Sequence, residues 1–359
     1  MTNMKKPLKI FAAAAMALLS LATARAQTPD ESQTAALQAR IDELTQRLEK
    51  QEKKSVRWEK LLANLPQISG YGIMGCGWSN TDDTWESSFN ISSVRLILAG
   101  DIGSKIDYKF QFEFVSPKLI DAFLRYKICP QFSLQAGQFR TGFGLEGYMV
   151  PLEMEAADYA PIVKAICTQY CDTRDIGIAA YGSLIPVGKR HIFEYMAGVY
   201  NGEGKNKADT NHSKDVIARL KINPLDDLSL SGSFSYGERG ETYVHNTRYA
   251  AGFWWHGERL FVRSEYLGMK QYDPAAGTKR SIEGCYAVAG YWIKKFCPLV
   301  RYNFMESDMD GSPVRRSDWL VGVDYKPLKY LRLQLNYTRT HYNGHGNGNM
   351  VGLTVTGAF

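Results

Sequence analysis

From Pro66 onward the sequence repeats its polarity every second residue. Tyr108, Phe110, Phe112 and Phe114 alternate with Lys109, Gln111 and Glu113. Leu228, Leu230, Phe234 and Tyr236 alternate with Ser229, Ser231, Ser233 and Ser235. Near the end, Leu331, Leu333, Leu335 and Tyr337 face Arg332, Gln334, Asn336 and Thr338, and Val351, Leu353, Val355 and Phe359 face Thr354 and Thr356. A strand with this pattern has one apolar and one polar face. About 16 such segments follow one another, which predicts an all-β fold.

Alternation serves both a soluble sandwich or propeller and a membrane barrel. Connection lengths separate the two. Polar, Gly- and Asp-rich connections are expected at 79–88, 201–213, 237–242, 268–278, 305–316 and 341–348. Between them lie short turns at 102–104, 129–131, 186–188, 224–226, 256–258, 295–297 and 327–329. Long and short connections alternate, with one exception at 116–118, and that is the habit of a transmembrane antiparallel β-barrel with loops on one side and turns on the other. Trp78, Trp254, Trp255, Trp292, Trp319, Tyr325 and Tyr330 near strand ends fit interfacial girdles, and Phe359 fits a C-terminal aromatic anchor. A soluble protein would carry such aromatics in its core.

Composition removes two further classes. With 21 Tyr, 16 Phe and 7 Trp the chain is too aromatic for disorder. Its only long apolar run lies at the N-terminus, so a helical membrane bundle is excluded. That run, 10–21, follows Lys5, Lys6 and Lys9 and precedes Ala24-Arg25-Ala26, a pattern that predicts a signal peptide over 1–26. Its removal leaves 39 basic against 37 acidic groups, so a nucleic-acid partner has no electrostatic support. Next, Leu37, Ile41, Leu44 and Leu48 alternate four and three residues apart, predicting a short periplasmic helix over 27–65 that either pairs with copies of itself or lies on the rest of the protein. The barrel is expected over 66–359.

A ring of about 16 strands is too wide for side chains to fill, so polar inner faces line water and the barrel reads as a channel. Alternation turns Arg95, Lys109, Arg125, Lys127, Arg219, Lys221, Arg263, Arg301 and Arg332 inward, against Glu113, Asp121, Glu265 and Asp324. These basic groups either favour anions or pair with the acids and keep the lumen wet. One connection, 140–173, is much longer than the rest. It holds a helix-like run, 152–170, with Glu153, Glu155 and Asp158 early and Lys164 later, and is flanked by Arg140 and Arg174. It either folds inward and constricts the bore or caps the rim or a neighbouring subunit.

The stretches 92–114 (SSVRLILAGDIGSKIDYKFQFEF), 118–127 (KLIDAFLRYK), 136–146 (AGQFRTGFGLE) and Arg174-Asp175-Ile176-Gly177 resemble the phosphate-selective porin O and P family as found in Bacteroides-type bacteria. The resemblance spans nearly all of the chain after the leader. It implies a homotrimeric, 16-stranded porin in outer-membrane lipid, with a periplasmic N-terminal helix and a third loop folded inward. It also implies an arginine ladder feeding a cluster of lysines on that loop. Here 141–173 holds one lysine, Lys164, beside the acids named above, so the chain departs from the family at the feature tied to phosphate.

Chemistry of other kinds finds little footing. Cys167 and Cys171 stand one helical turn apart, but no nearby His or Cys completes a metal set, so thiols rather than a metal site are expected of the six cysteines. None of the six histidines sits in a nucleophile motif, and no phosphate-cradling glycine loop occurs, so no catalytic residue and no cofactor is expected. The sequence therefore predicts a channel for small hydrophilic or anionic solutes. The other reading is a non-conducting barrel used for scaffolding or adhesion.

Overall fold

The computed structural model describes residues 36, 39, 40, 42–48, 50, 51 and 65–359, apart from 82, 83, 170, 344 and 345. Two compact units divide at Leu65 and Pro66. In the first, residues 42–48 are helical, Arg47 pairs with Glu43 at 2.7 Å, and Leu44 and Leu48 are each more than half exposed. The expected leader, Leu37, Ile41 and most of the predicted helix lie outside the described residues.

The second unit is a closed barrel of 16 antiparallel strands in sequential order. They are β1 (Gln67–Thr81), β2 (Thr84–Ile102), β3 (Ile106–Glu113), β4 (Lys118–Cys129), β5 (Phe132–Arg140), β6 (Arg174–Val187), β7 (Arg190–Tyr200) and β8 (Asp215–Leu225). Then come β9 (Leu228–Arg239), β10 (Val244–His256), β11 (Leu260–Asp273), β12 (Thr278–Tyr291), β13 (Phe296–Met309), β14 (Ser312–Leu328), β15 (Leu331–Tyr342) and β16 (Asn347–Ala358). The seam between β1 and β16 runs from Tyr71↔Ala358 to Thr81↔Gly348 and is extended by Gly70 and Phe359, which exchange backbone hydrogen bonds of 3.0 and 3.1 Å. Closure gives every strand two hydrogen-bonded neighbours, with no open end to the sheet.

Side-chain polarity is inverted relative to a water-soluble domain. In β9, Ser229, Ser231, Ser233 and Ser235 are buried within the ring while Leu230, Phe234 and Tyr236 are exposed outside. In β15, Arg332, Gln334 and Asn336 are buried while Leu335 and Tyr337 are exposed. An apolar band of this extent on the outside is stable only against lipid.

Three expectations need correction. Most of the long connections read at the loop end are strand: β13 and β14 are joined by Asp310 and Gly311 alone, both with positive φ, and β1 and β2 stay paired to Thr81↔Thr84. The polar composition of these segments reflects a ladder that projects beyond the apolar band, and cross-strand pairing there outweighs residue propensity. Among the described residues, only 201–214 and the third loop are long connections. Trp254, placed in a girdle by sequence, belongs to the inward set of β10 with Asn246, Arg248 and Ala250, whereas Trp255 points out. Trp292 packs partly buried against the inner cluster, with the Lys326 ammonium 4.4 Å from its ring centroid.

The wall is lowest at β3 to β5. β2 has 19 residues but β3 only 8, and their pairing covers only Arg95 to Ile102 of β2. The upper part of β2 is paired with β1 alone, and Trp85 and Phe89 there are 77% and 88% exposed. Below, β4 and β5 close on each other through Gly137, whose φ is +127° and whose position would put a Cβ 2.2 Å from the Ala122 carbonyl oxygen. Gly137→Ala is therefore expected to destabilise the barrel by at least about 1–3 kcal/mol, the cost of the backbone conformation alone. The check is the temperature at which the folded electrophoretic form converts to the unfolded one, which falls in the variant.

Candidate functional site

The third loop, 141–173, runs inside the ring, and its path is set by side chains of the far wall. Gly142 and Gly144, both with positive φ, turn the chain inward. The Gly144 amide donates to Ser233 Oγ at 3.0 Å, and the amides of Leu145 and Glu146 donate to the two carboxylate oxygens of Glu265 at 2.5 and 3.1 Å. Glu146 in turn accepts from the Ala160 amide at 2.6 Å and from Arg263 at 3.1 Å, while Arg263 also reaches Glu155 at 2.8 Å. Further along, Arg332 donates to the Leu152 carbonyl, Gln334 to the Met154 and Glu155 carbonyls, and Arg301 to the Asp158 carbonyl at 2.7 Å. The Ile162 amide donates to Asn303 Oδ1 at 3.1 Å. Loop backbone thus finds partners on β9, β11, β13 and β15, as buried peptide groups must.

Apolar packing adds to these bonds. A helical turn at Pro161–Lys164 and a π-helical turn at Ala165–Gln169 bury Ile162, Val163, Ile166 and Cys167 in one cluster with Leu267, Met269, Ile282 and Val288. Burying each aliphatic side chain contributes about 1.5–3 kcal/mol. Burial also pushes the Cys167 thiol up from its ordinary range, so it remains protonated. Cys171 accepts from Asn246 Nδ2 at 3.1 Å, all six cysteines are free thiols, and no cluster of metal ligands occurs among the described residues.

The inward basic residues divide into two groups. Arg263, Arg301 and Arg332 are 1%, 5% and 6% exposed: the loop covers them and they hold it, with Arg332 also paired to Asp324. The expectation that they border water is therefore corrected, because their guanidinium groups bond carboxylates and carbonyls buried beneath the loop. Glu155 likewise turns to the wall rather than the bore.

The other group lies around open space, although Arg174, like Arg332, is itself buried. Arg95 pairs with Glu113 at 3.0 Å, and Asp121 is shared by Lys109 at 3.0 Å and Arg174 at 2.7 Å. Arg125 reaches Gln135 at 3.2 Å and Asp107 at 3.5 Å, Lys127 bridges Asp101 and Asp107, and Lys221 meets Glu194 at 3.2 Å. Arg140 donates to the Gly147 and Met149 carbonyls at 2.8 and 2.7 Å. Arg219 stacks at 4.6 Å on Tyr148. Neither Arg140 nor Arg219 forms an ion pair among the described residues. On the loop itself Tyr148, Glu153, Asp158 and Lys164 are exposed, and Asp158 and Lys164 pair at 2.6 Å.

The loop leaves two chambers. One, of about 890 Å³, lies between the loop and the upper part of β1, β2 and β16, and its wall mixes small polar residues with Trp78, Trp85 and Arg95. The other, of about 490 Å³, lies toward the turn end against β4 to β8. Six basic side chains, Lys109, Arg125, Arg140, Arg174, Arg219 and Lys221, border it against Asp121, Glu153 and Glu194.

Sequence reading missed Glu146, Arg248 and Tyr148. Arg248 is 1% exposed, bonds Ser235 and lies 4.5 Å over Phe143; the same two-residue period that found Arg263 extends to it. Glu146 and Tyr148 sit in irregular backbone, where no period assigns a direction.

Arg263→Met removes the cation from Glu146 and Glu155 in a dry site, which costs about 3–5 kcal/mol when one partner of a buried pair is lost. The loop is expected to undock. Limited proteolysis should then cut within 141–173 under conditions that spare the parent protein, and single-channel steps should become larger and noisier.

A family model described as phosphate-selective porin O and P matches residues 78–236. A search of curated proteins finds no match. Among solved structures, the barrel is similar to OmpF of Salmonella typhi, solved in complex with daunomycin, at 12% identity over 83% of this chain and 98% of that one, with a TM-score of 0.62. It is similar to an anion-selective porin from Comamonas acidovorans at 12% identity, covering 82% and 99%, with a TM-score of 0.61. It is also similar to OmpT of Vibrio cholerae in a trimer form at 11% identity, covering 82% and 100%, with a TM-score of 0.60. At such identities the likeness is one of fold. Together with the family match over 78–236, the closed barrel, its apolar exterior and its polar bore make this chain a porin of the bacterial outer membrane, similar over those residues to the phosphate-selective porin O and P family.

Proposed function

We propose that small hydrophilic solutes diffuse through the bore with a preference for anions, and that the third loop sets the constriction. The observation that carries this reading is the imbalance around the turn-side chamber, six basic against three acidic side chains, with Arg140 and Arg219 in no ion pair among the described residues. Fixed positive charge replaces part of an anion's hydration and repels cations. The loop offers Glu153 and the neutralised pair of Asp158 and Lys164 instead of a lysine cluster. That composition supports a general anion bias rather than phosphate specificity.

In a salt gradient across a planar bilayer, the reversal potential is expected to carry the sign of anion preference. Arg125→Glu should move it toward cation preference. An unchanged potential would remove Arg125 from the lining, and a folded but silent protein would favour a scaffolding or adhesion role.

The oligomer is proposed to be a trimer packed over the low wall. Support comes from the exposed Trp85, Phe89, Phe110, Phe112 and Phe114 on β2, β3 and the connection that follows, and from the trimer form of the OmpT relative. The half-exposed Leu44 and Leu48 fit a coiled coil between N-terminal helices in the same assembly. Phe89→Lys places a charge on that surface and is expected to shift the detergent-solubilised protein from trimer to monomer by light scattering while leaving the folded band intact.

A further inference from the structure

The turn-side chamber is aromatic as well as basic. The Arg219 guanidinium lies 4.6 Å from the centroid of Tyr148, and that of Arg125 lies 4.7 Å from Tyr181 and 5.5 Å from Phe123. Trp254 completes the wall from β10. Neither Arg219 Nε nor Trp254 Nε1 finds an acceptor among the described residues. A buried donor left unmet costs about 1–3 kcal/mol. Side chains so placed gain by re-seating around an incoming acceptor.

Nearby acids do not supply that acceptor. Asp121 is shared by Lys109 and Arg174, and Glu194 by Lys221 and Asn223. A bare inorganic anion would use the charges and leave the rings in water. A carboxylate borne on a flat ring would use both, since guanidinium and aromatic faces stack while the guanidinium edge donates to oxygen.

We propose that this chamber binds carboxylates carried on a flat ring, with Arg219 and Trp254 donating to the carboxylate and Tyr148 and Tyr181 flanking the ring. The assignment rests on the anion-favouring bore proposed above and narrows its solute class.

The test is block of the potassium chloride current through the full-length protein in planar bilayers by benzoate, cyclohexanecarboxylate, acetate and inorganic phosphate in turn. Benzoate should half-block at a concentration about tenfold below each of the others, equivalent to about 1.4 kcal/mol. Arg219→Gln and Tyr148→Ala, each compared with its own unblocked current, should abolish that advantage. Equal block by all four, strongest block by phosphate, or benzoate block unchanged in both variants overturns the proposal. A protein that carries no current fails the channel reading instead, and the site is then read by equilibrium dialysis of labelled benzoate against the folded protein in detergent. Retention by the parent and loss in Arg219→Gln supports the site, and no retention by the parent overturns it.

Discussion

Backbone hydrogen bonding in a medium without water governs this molecule. Each peptide group in the wall must find its partner on a neighbouring strand, because an unmet one in hydrocarbon costs several kcal/mol. The ring satisfies that demand by returning β16 to β1, and Gly70 and Phe359 complete the circuit. Side-chain polarity then follows: apolar groups meet lipid, and polar groups fall inside.

An interior of this width leaves a second problem, which the third loop resolves on one side only. Along β9 to β15 the inner wall carries Leu267, Met269, Ile282 and Val288 among its polar residues, and there the loop packs and finds partners for its amides. Along β3 to β8 the inner wall is charged and aromatic, and the loop stands off. Arginines of the same chemical kind therefore do opposite work. Arg263 and Arg332 are structural, bonded to buried carboxylates and a loop carbonyl, whereas Arg125 and Arg219 border the turn-side chamber beside aromatic rings. Burial and partner, not residue type, separate the two roles.

Much of this was legible in the sequence, because a strand fixes the direction of a side chain by counting. Two-residue alternation located the strands, their inward basic residues and the turn ends. It failed where polarity and regularity part company. Segments such as 305–316 are polar because they stand outside the lipid, yet they remain paired strand. It failed again within 141–173, where Glu146 and Glu155 find Arg263 across more than a hundred residues and no local period encodes the meeting. Trp254 shows a subtler limit: composition suggested an interfacial tryptophan, while its parity within β10 had already turned it inward.

The seam between β1 and β16 also has a kinetic consequence. Its partners are separated by nearly the whole barrel sequence, so loop-closure entropy falls on this contact last. Until it forms, every intermediate exposes two open strand edges, and such edges invite pairing with the wrong chain. Pairing β1 with β16 removes both borders in a single step, so the whole ring gains its protection from wrong partners only when its two ends meet.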